Sequence, residues 1–168
     1  MTTVAVAQPQ PPRSFETQMV LPFINSTLNV FTSMVKIKPE IAKPRLKEGA
    51  GASFDVSGII GFSGDILGSV VLSFQLQTAR KLVASFVGSD VDPTSPDFAD
   101  AIGELTNMVA GGAKKNLGVN ANITVPVVVI GAAHVIARLS GVPCIVIPCH
   151  TPDGDFAIEV NIKPANKK

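Results

Sequence analysis

Cysteine and histidine are scarce in this sequence, and charge is thin. Two cysteines and two histidines occur in 168 residues. Cys144 and Cys149 are too few to build a disulfide framework. Both fall in an apolar stretch, residues 143–149, and read as reduced thiols of a cytoplasmic protein. A zinc site needs a set of nitrogen, sulfur or oxygen ligands at defined spacing, and His134 and His150 match no such pattern. No metal is therefore expected. Charged residues make up 16% of the chain, and fourteen basic against thirteen acidic residues leave a net charge of +1. That is no footprint of a nucleic-acid binder. The pair Lys167 and Lys168 reads as a solvated end. No apolar run reaches the roughly 18 residues that a membrane-spanning helix requires. Residues 1–13 lack the basic and apolar regions of a signal peptide. With Pro9, Pro11 and Pro12 they read as a tail. The expectation is a tail over residues 1–14, then one domain over residues 15–168, in the cytoplasm. The glycines at 58, 61, 64 and 68 do not fit a G-x-G-x-x-G cradle, and no G-K-[ST] follows. They read as hairpin and bulge glycines.

Hydrophobic residues are plentiful at 46%, enough for a sizeable core. Residues 15–35 look helical in their second half, with Phe23, Ile24, Thr27, Leu28, Phe31 and Val35 as the apolar face. Pro22 is expected in the first turn, and Ser26, Asn29 and Ser33 on the wetter side. Residues 39–48, with Pro39 and Pro44, read as an edge strand or a connection. Residues 53–62 and 67–74 read as two strands joined at a glycine-rich turn. Residues 78–87 read as a helix stopped by Gly88. Residues 123–130, 144–149 and 156–162 read as further strands. In the last, Phe156, Ile158, Val160 and Ile162 share one face, and Ala157, Glu159 and Asn161 share the other. The sum is an α+β domain, an antiparallel sheet of about six strands packed with about three helices.

The longest helical pattern covers residues 95–117. Ser95 can cap it, Pro96 suits the first turn, and Asp97 favours the positive end of the dipole. On a wheel advancing about 100° per residue, Ile102, Leu105 and Val109 fall within about 40° of Phe98. That is a core stripe. Asp100, Glu104, Asn107 and Gly111 gather at about 180–240°, the opposite side. Glu104 and Asn107, at i and i+3, are neighbours there. Glycine inside a helix costs roughly 1 kcal/mol relative to alanine. Gly103, Gly111 and Gly112 therefore need a reason, and close approach of another backbone, such as a partner's, is one. On pattern alone an acid and an amide on a helix surface are ordinary.

The string of residues 100–114, DAIGELTNMVAGGAK, resembles the signature helix of the CheX family. These proteins are related to the CheC and FliY phosphatases of bacterial chemotaxis. Asp100, Glu104 and Asn107 match the family's Asp or Ser, Glu and Asn, and Pro126 resembles the proline that follows. Residues 61–74 resemble the family's hairpin, residues 78–88 its next helix, and residues 156–163 its last strand. One copy of the signature helix is the CheX arrangement, where CheC-type proteins carry two. The resemblance implies a CheX-like fold and a hydrolase of two-component signalling. It would cleave the aspartyl-phosphate of a CheY-like response-regulator receiver domain. By that resemblance Asn107 orients the attacking water and Glu104 pairs with the receiver's lysine. Asp100, Gly103 and Gly111 lie on the partner-binding surface. The same resemblance implies that Mg²⁺ would belong to the partner receiver, that no cofactor would be bound by this chain, and that the protein would be a homodimer. A non-catalytic receiver-binding module and a structural dimer module are the alternatives. Intact Glu104 and Asn107 favour catalysis over both.

Overall fold

A computed structural model of the chain describes residues 14–166. The expected tail lies outside these residues, apart from Ser14, which is already helical. Three helices and eight strands follow. Helix α1 runs Ser14–Val30 and ends in a π-helical turn, Phe31–Val35. Lys36 then takes a left-handed conformation and closes it with an N–H to the carbonyl of Phe31. Pro22 is an interior residue of α1 rather than a first-turn residue, because the helix begins eight residues before it. Its ring is buried. Of the expected apolar face, Phe23, Thr27, Phe31 and Val35 are buried, while Ile24 and Leu28 are half-buried. Ser26 was expected on the wetter side and is buried.

The strands are β1 Glu40–Ile41, β2 Arg45–Leu46, β3 Val56–Gly64, β4 Ile66–Phe74, β5 Ala121–Ile123, β6 Val127–Ile130, β7 Ile145–Thr151 and β8 Gly154–Pro164. All pairs are antiparallel, in the order β1-β7-β8-β4-β3-β5, with β2 also on β7 and β6 also on β3. Eight strands replace the expected six because proline divides two of the runs. Pro44 separates β1 from β2, and Pro126 separates β5 from β6. A proline cannot donate to the ladder, so pairing lapses around it. Residues 124–126 form an arch of three residues opposite only Ile60 and Gly61 of β3, anchored by Thr124, whose N–H donates to Gly61 O at 3.0 Å and whose Oγ1 accepts from Gly61 N at 3.0 Å.

Register aligns the alternating residues in rows across the sheet. Val56, Phe74, Phe156 and Cys149 form one row, and Ile60, Val70, Val160 and Ile145 another. This face carries the core and receives the helices. Phe156 stacks on Phe31 with centroids 4.6 Å apart and on Phe74 at 5.4 Å. Helix α2, Leu76–Val87, covers part of it and stops at Gly88, whose φ of 90° suits glycine.

The opposite face of the sheet is buried as well, which alternation alone did not reveal. Segments around residues 47–55 and 131–143 cover it through polar contacts. Glu159, 1% exposed, accepts from Ser53 Oγ at 2.5 Å and Ser53 N at 3.2 Å. It also pairs with Lys47 at 3.2 Å and with Arg138. Asn161 accepts from Leu139 N at 3.0 Å and donates to the carbonyls of Val142 and Pro143. Ser57 Oγ lies 2.8 Å from His134 Nε2, and His134 Nδ1 lies 2.7 Å from Gly131 O. The carbonyl can only accept, so Nδ1 carries a proton; in the neutral ring Nε2 is then the acceptor for the Ser57 hydroxyl.

Candidate functional site

Helix α3, Pro96–Asn116, carries the candidate residues. Ser95 caps it, its Oγ accepting from Phe98 N at 3.4 Å, and Pro96 opens the first turn with Asp97 behind it. Lys114 and Lys115 occupy the last turn, where cations suit the dipole. Phe98, Ile102, Leu105 and Val109 are all 0% exposed. Burying each contributes about 1.5–3 kcal/mol. The stripe therefore decides which way the helix faces, and it turns the opposite side outward.

On that outward side Asp100 and Glu104 are exposed, Asn107 is half-buried, and Gly111 is half-buried. The helix brings the acid and the amide together one turn apart. Among the described residues, none of the side chains of Asp100, Glu104 and Asn107 makes a hydrogen bond or an ion pair. A carboxylate and a carboxamide with free valences are thus presented to whatever approaches. A shallow depression beside them is lined by Ala99, Asp100, Gly103, Glu104, Pro126 and Val128.

The three helix glycines have different surroundings. A Cβ on Gly111 would meet nothing within 4 Å, so that position is open to an incoming surface. Gly103 is buried. A Cβ there would come within 3.3 Å of Pro126 Cγ and 3.6 Å of Val128 Cγ2. A Cβ on Gly112 would overlap Ser26 Oγ. The close approach that explains glycine at 103 and 112 is therefore made by the chain itself. Sequence reasoning missed this, because Ser26 and Pro126 are remote from α3 along the chain. It also missed Gly58 of β3, above which Thr106 Oγ1 occupies the space a Cβ would take.

Among the described residues no group of three or more His, Cys, Asp or Glu could hold a metal ion, and no helix is long and apolar enough to cross a membrane. Cys144 and Cys149 are both free.

The fold and the exposed helix face define a sheet-and-helix domain that offers an acid–amide pair in trans. The family of chemotaxis phosphatase CheX matches residues 56–150, more than half of the chain. The CheY-P phosphatase CheX of Thermotoga maritima is 32% identical over 120 residues, covering 69% of this chain and 77% of that protein. The chemotaxis protein CheX of Desulfovibrio desulfuricans superposes with a TM-score of 0.79 at 32% identity, covering 88% of this chain and 99% of that one. A Borrelia burgdorferi CheX, solved in complex with CheY, BeF3 and Mg²⁺, shares the fold with a TM-score of 0.73 at 24% identity, covering 86% and 97%. The chain belongs to the CheX family.

Proposed function

We propose that this protein is a phosphatase of phosphorylated CheY-like receiver domains, with Asn107 and Glu104 inserted together into the receiver's active site. The observation that carries this reading is the pair itself. Glu104 and Asn107 share the outward side of α3, and neither side chain has a polar partner among the described residues. The name of the Thermotoga maritima relative supports the substrate, and the Borrelia burgdorferi complex supports the partner. An aspartyl-phosphate is an acyl phosphate and is already labile. Catalysis then needs positioning and electrostatics more than covalent chemistry. The Asn107 carboxamide orients water for in-line attack on phosphorus. As the new P–O bond forms, the bond to the aspartyl oxygen breaks, and the carboxylate leaves. The water proton passes to the released phosphate. Glu104 pairs with the receiver's lysine and fixes the register of the helix, with Asp100 and Gly111 on the docking surface. Mg²⁺ is held by the receiver, where it neutralises the phosphoryl oxygens.

The test is release of inorganic phosphate from a phosphorylated receiver of the same cell. Wild-type protein accelerates release, and Asn107→Ala does not, at unchanged folding. Equal rates for the two proteins remove the catalytic claim. Tight binding of the receiver without acceleration by wild type favours the binding-module reading instead.

The protein is also proposed to work as a homodimer, the second copy pairing with β6. That edge carries exposed Val127 and Ile130, at 58% and 42%, with no lysine in β5 or β6 and a single proline, Pro126, between them. The other sheet edge has Pro39, Pro44, Lys38, Lys43 and Arg45. Charge is a usual protection of a free edge, and only the β1–β2 edge carries it. Sedimentation should give twice the chain mass, and Val127→Lys should return it to one. A monomeric wild type rejects the dimer.

A further inference from the structure

The outward direction of Glu104 and Asn107 is set not only by the core stripe but by contacts on the two flanks of α3. On an ideal wheel, Asp100, Glu104, Asn107 and Gly111 centre on one direction. Gly103 lies about 70° to one side of it and Gly112 about 110° to the other. Pro126, on the arch between β5 and β6, sits against Gly103. Ser26, from α1, sits against Gly112, with its Cβ 3.2 Å from where a Gly112 Cβ would stand. Ser26 Oγ also donates to Val109 O at 2.8 Å, a carbonyl within the same turn of α3. Ser26 is 5% exposed, so this bond is made out of competing water. One hydroxyl thus both fills the space over a glycine and ties the helix backbone. Beneath, Thr106 Oγ1 fits over Gly58 and donates to Ile102 O at 2.7 Å.

We infer that Ser26 and Gly112 are positioning residues for the dephosphorylation reaction, holding the rotation of α3 so that Asn107 meets the receiver in the attacking geometry. This rests on the phosphatase reading above. The physical scale supports it. A side-chain tip about 5–6 Å from a helix axis moves roughly 1 Å when the helix turns by about 10°. Misplacement of about 1 Å costs on the order of 100-fold in rate. A methyl at position 112 drives the Ser26 hydroxyl off the Val109 carbonyl, and the Ser26 Cβ, 3.2 Å from the new atom, must still give by a few tenths of an ångström, so either α1 yields or α3 turns. Packing cannot absorb the overlap without movement, because interiors are close to crystalline in density.

The experiment measures the maximal rate of phosphate release from a phosphorylated receiver at saturating protein, beside thermal unfolding, for five proteins. They are wild type, Gly112→Ala, Ser26→Ala, Ser26→Gly with Gly112→Ala, and Asn107→Ala. Gly112→Ala is expected to lose roughly 10- to 100-fold in maximal rate. The double variant moves the missing volume to the other helix and should recover most of that loss. A purely structural role moves the unfolding temperature and leaves the maximal rate of folded Gly112→Ala at the wild-type value. Ser26→Ala adds no atom and so keeps the fold. It is expected to lose several-fold in rate through the freed Val109 carbonyl. Should Gly112→Ala not fold, the Ser26→Ala rate decides: a several-fold loss supports the inference and a wild-type rate overturns it. With Gly112→Ala folded, a wild-type rate, or a loss that the double variant does not recover, also overturns it. Asn107→Ala separates the two levels. An Asn107→Ala protein as active as wild type removes the attacking role of Asn107, on which this inference rests. An inactive Asn107→Ala beside a fully active Gly112→Ala defeats only the positioning role.

Discussion

Glu104 and Glu159 are the same residue type in opposite situations. Glu159 is 1% exposed in β8 and touches Lys47, Arg138 and both the N–H and hydroxyl of Ser53. Glu104 is exposed on α3 and has no polar partner among the described residues. A buried carboxylate is tolerated only when its charge and lone pairs are met within the fold. An exposed one can remain unpaired at little cost, since water solvates it. The first therefore holds covering segments onto the sheet, and the second remains available to another molecule. The difference separates a residue that stability requires from one that is proposed to serve recognition. The family match could not make this separation residue by residue.

Removing Glu159 should have the largest effect on the fold. Glu159→Ala leaves Lys47 and Arg138 without their counter-charge, and breaking a buried pair in this way costs about 3–5 kcal/mol. Chemical denaturation measures it. A loss below about 1 kcal/mol would break the contrast, because Glu159 would then be no more structural than a surface acid. Asn107→Ala should act in the opposite sense. Its stability should stay within about 0.5 kcal/mol of wild type, as for other surface changes, while phosphate release loses at least about 100-fold, within the range expected for lost positioning. Glu104→Ala should weaken receiver binding by roughly tenfold, about 1.4 kcal/mol. Calorimetric titration should also show wild-type affinity falling with salt more steeply than that of the variant. Unchanged affinity removes the docking role.

The smallest effect concerns the thiols. Burial pushes Cys149 up from 9.0 to about 12. Burial likewise pushes Cys144 up to about 11, opposed by the nearby Arg138 and Lys47 charges and reinforced by Glu159. The thiolate is the reactive form. At pH 8 both cysteines of the folded protein should label at least about 10-fold more slowly than in denaturant. Because both values are raised on folding, the contribution to stability is whole below about pH 9 and declines as pH rises towards 11 and 12. Fast labelling of the native protein at pH 8 contradicts the burial of these residues.

Much of the local structure was legible along the chain. The caps and stripe of α3, the stop at Gly88 and the alternation of β8 follow from short-range sterics and hydrophobic periodicity, which depend on neighbours in sequence. The strand count was underestimated because a proline's effect on pairing depends on the strand it would have paired with. Pro126 divides β5 from β6 against β3, and β3 lies far away in sequence. The helical start was misjudged for a related reason: Pro22 suits a first turn locally, yet α1 extends eight residues before it.

For the site, the sequence by itself determined which residues share the outward side of α3, since 3.6 residues per turn and four large apolar side chains leave little choice. Only the tertiary structure decided what flanks them. It assigned Gly103 to Pro126 and Gly112 to Ser26, left Gly111 open, and buried Glu159 beneath two crossing segments. Periodicity reports the direction a side chain leaves its own backbone. What it meets there depends on contacts made across long loops, and those are fixed only when the whole chain has packed.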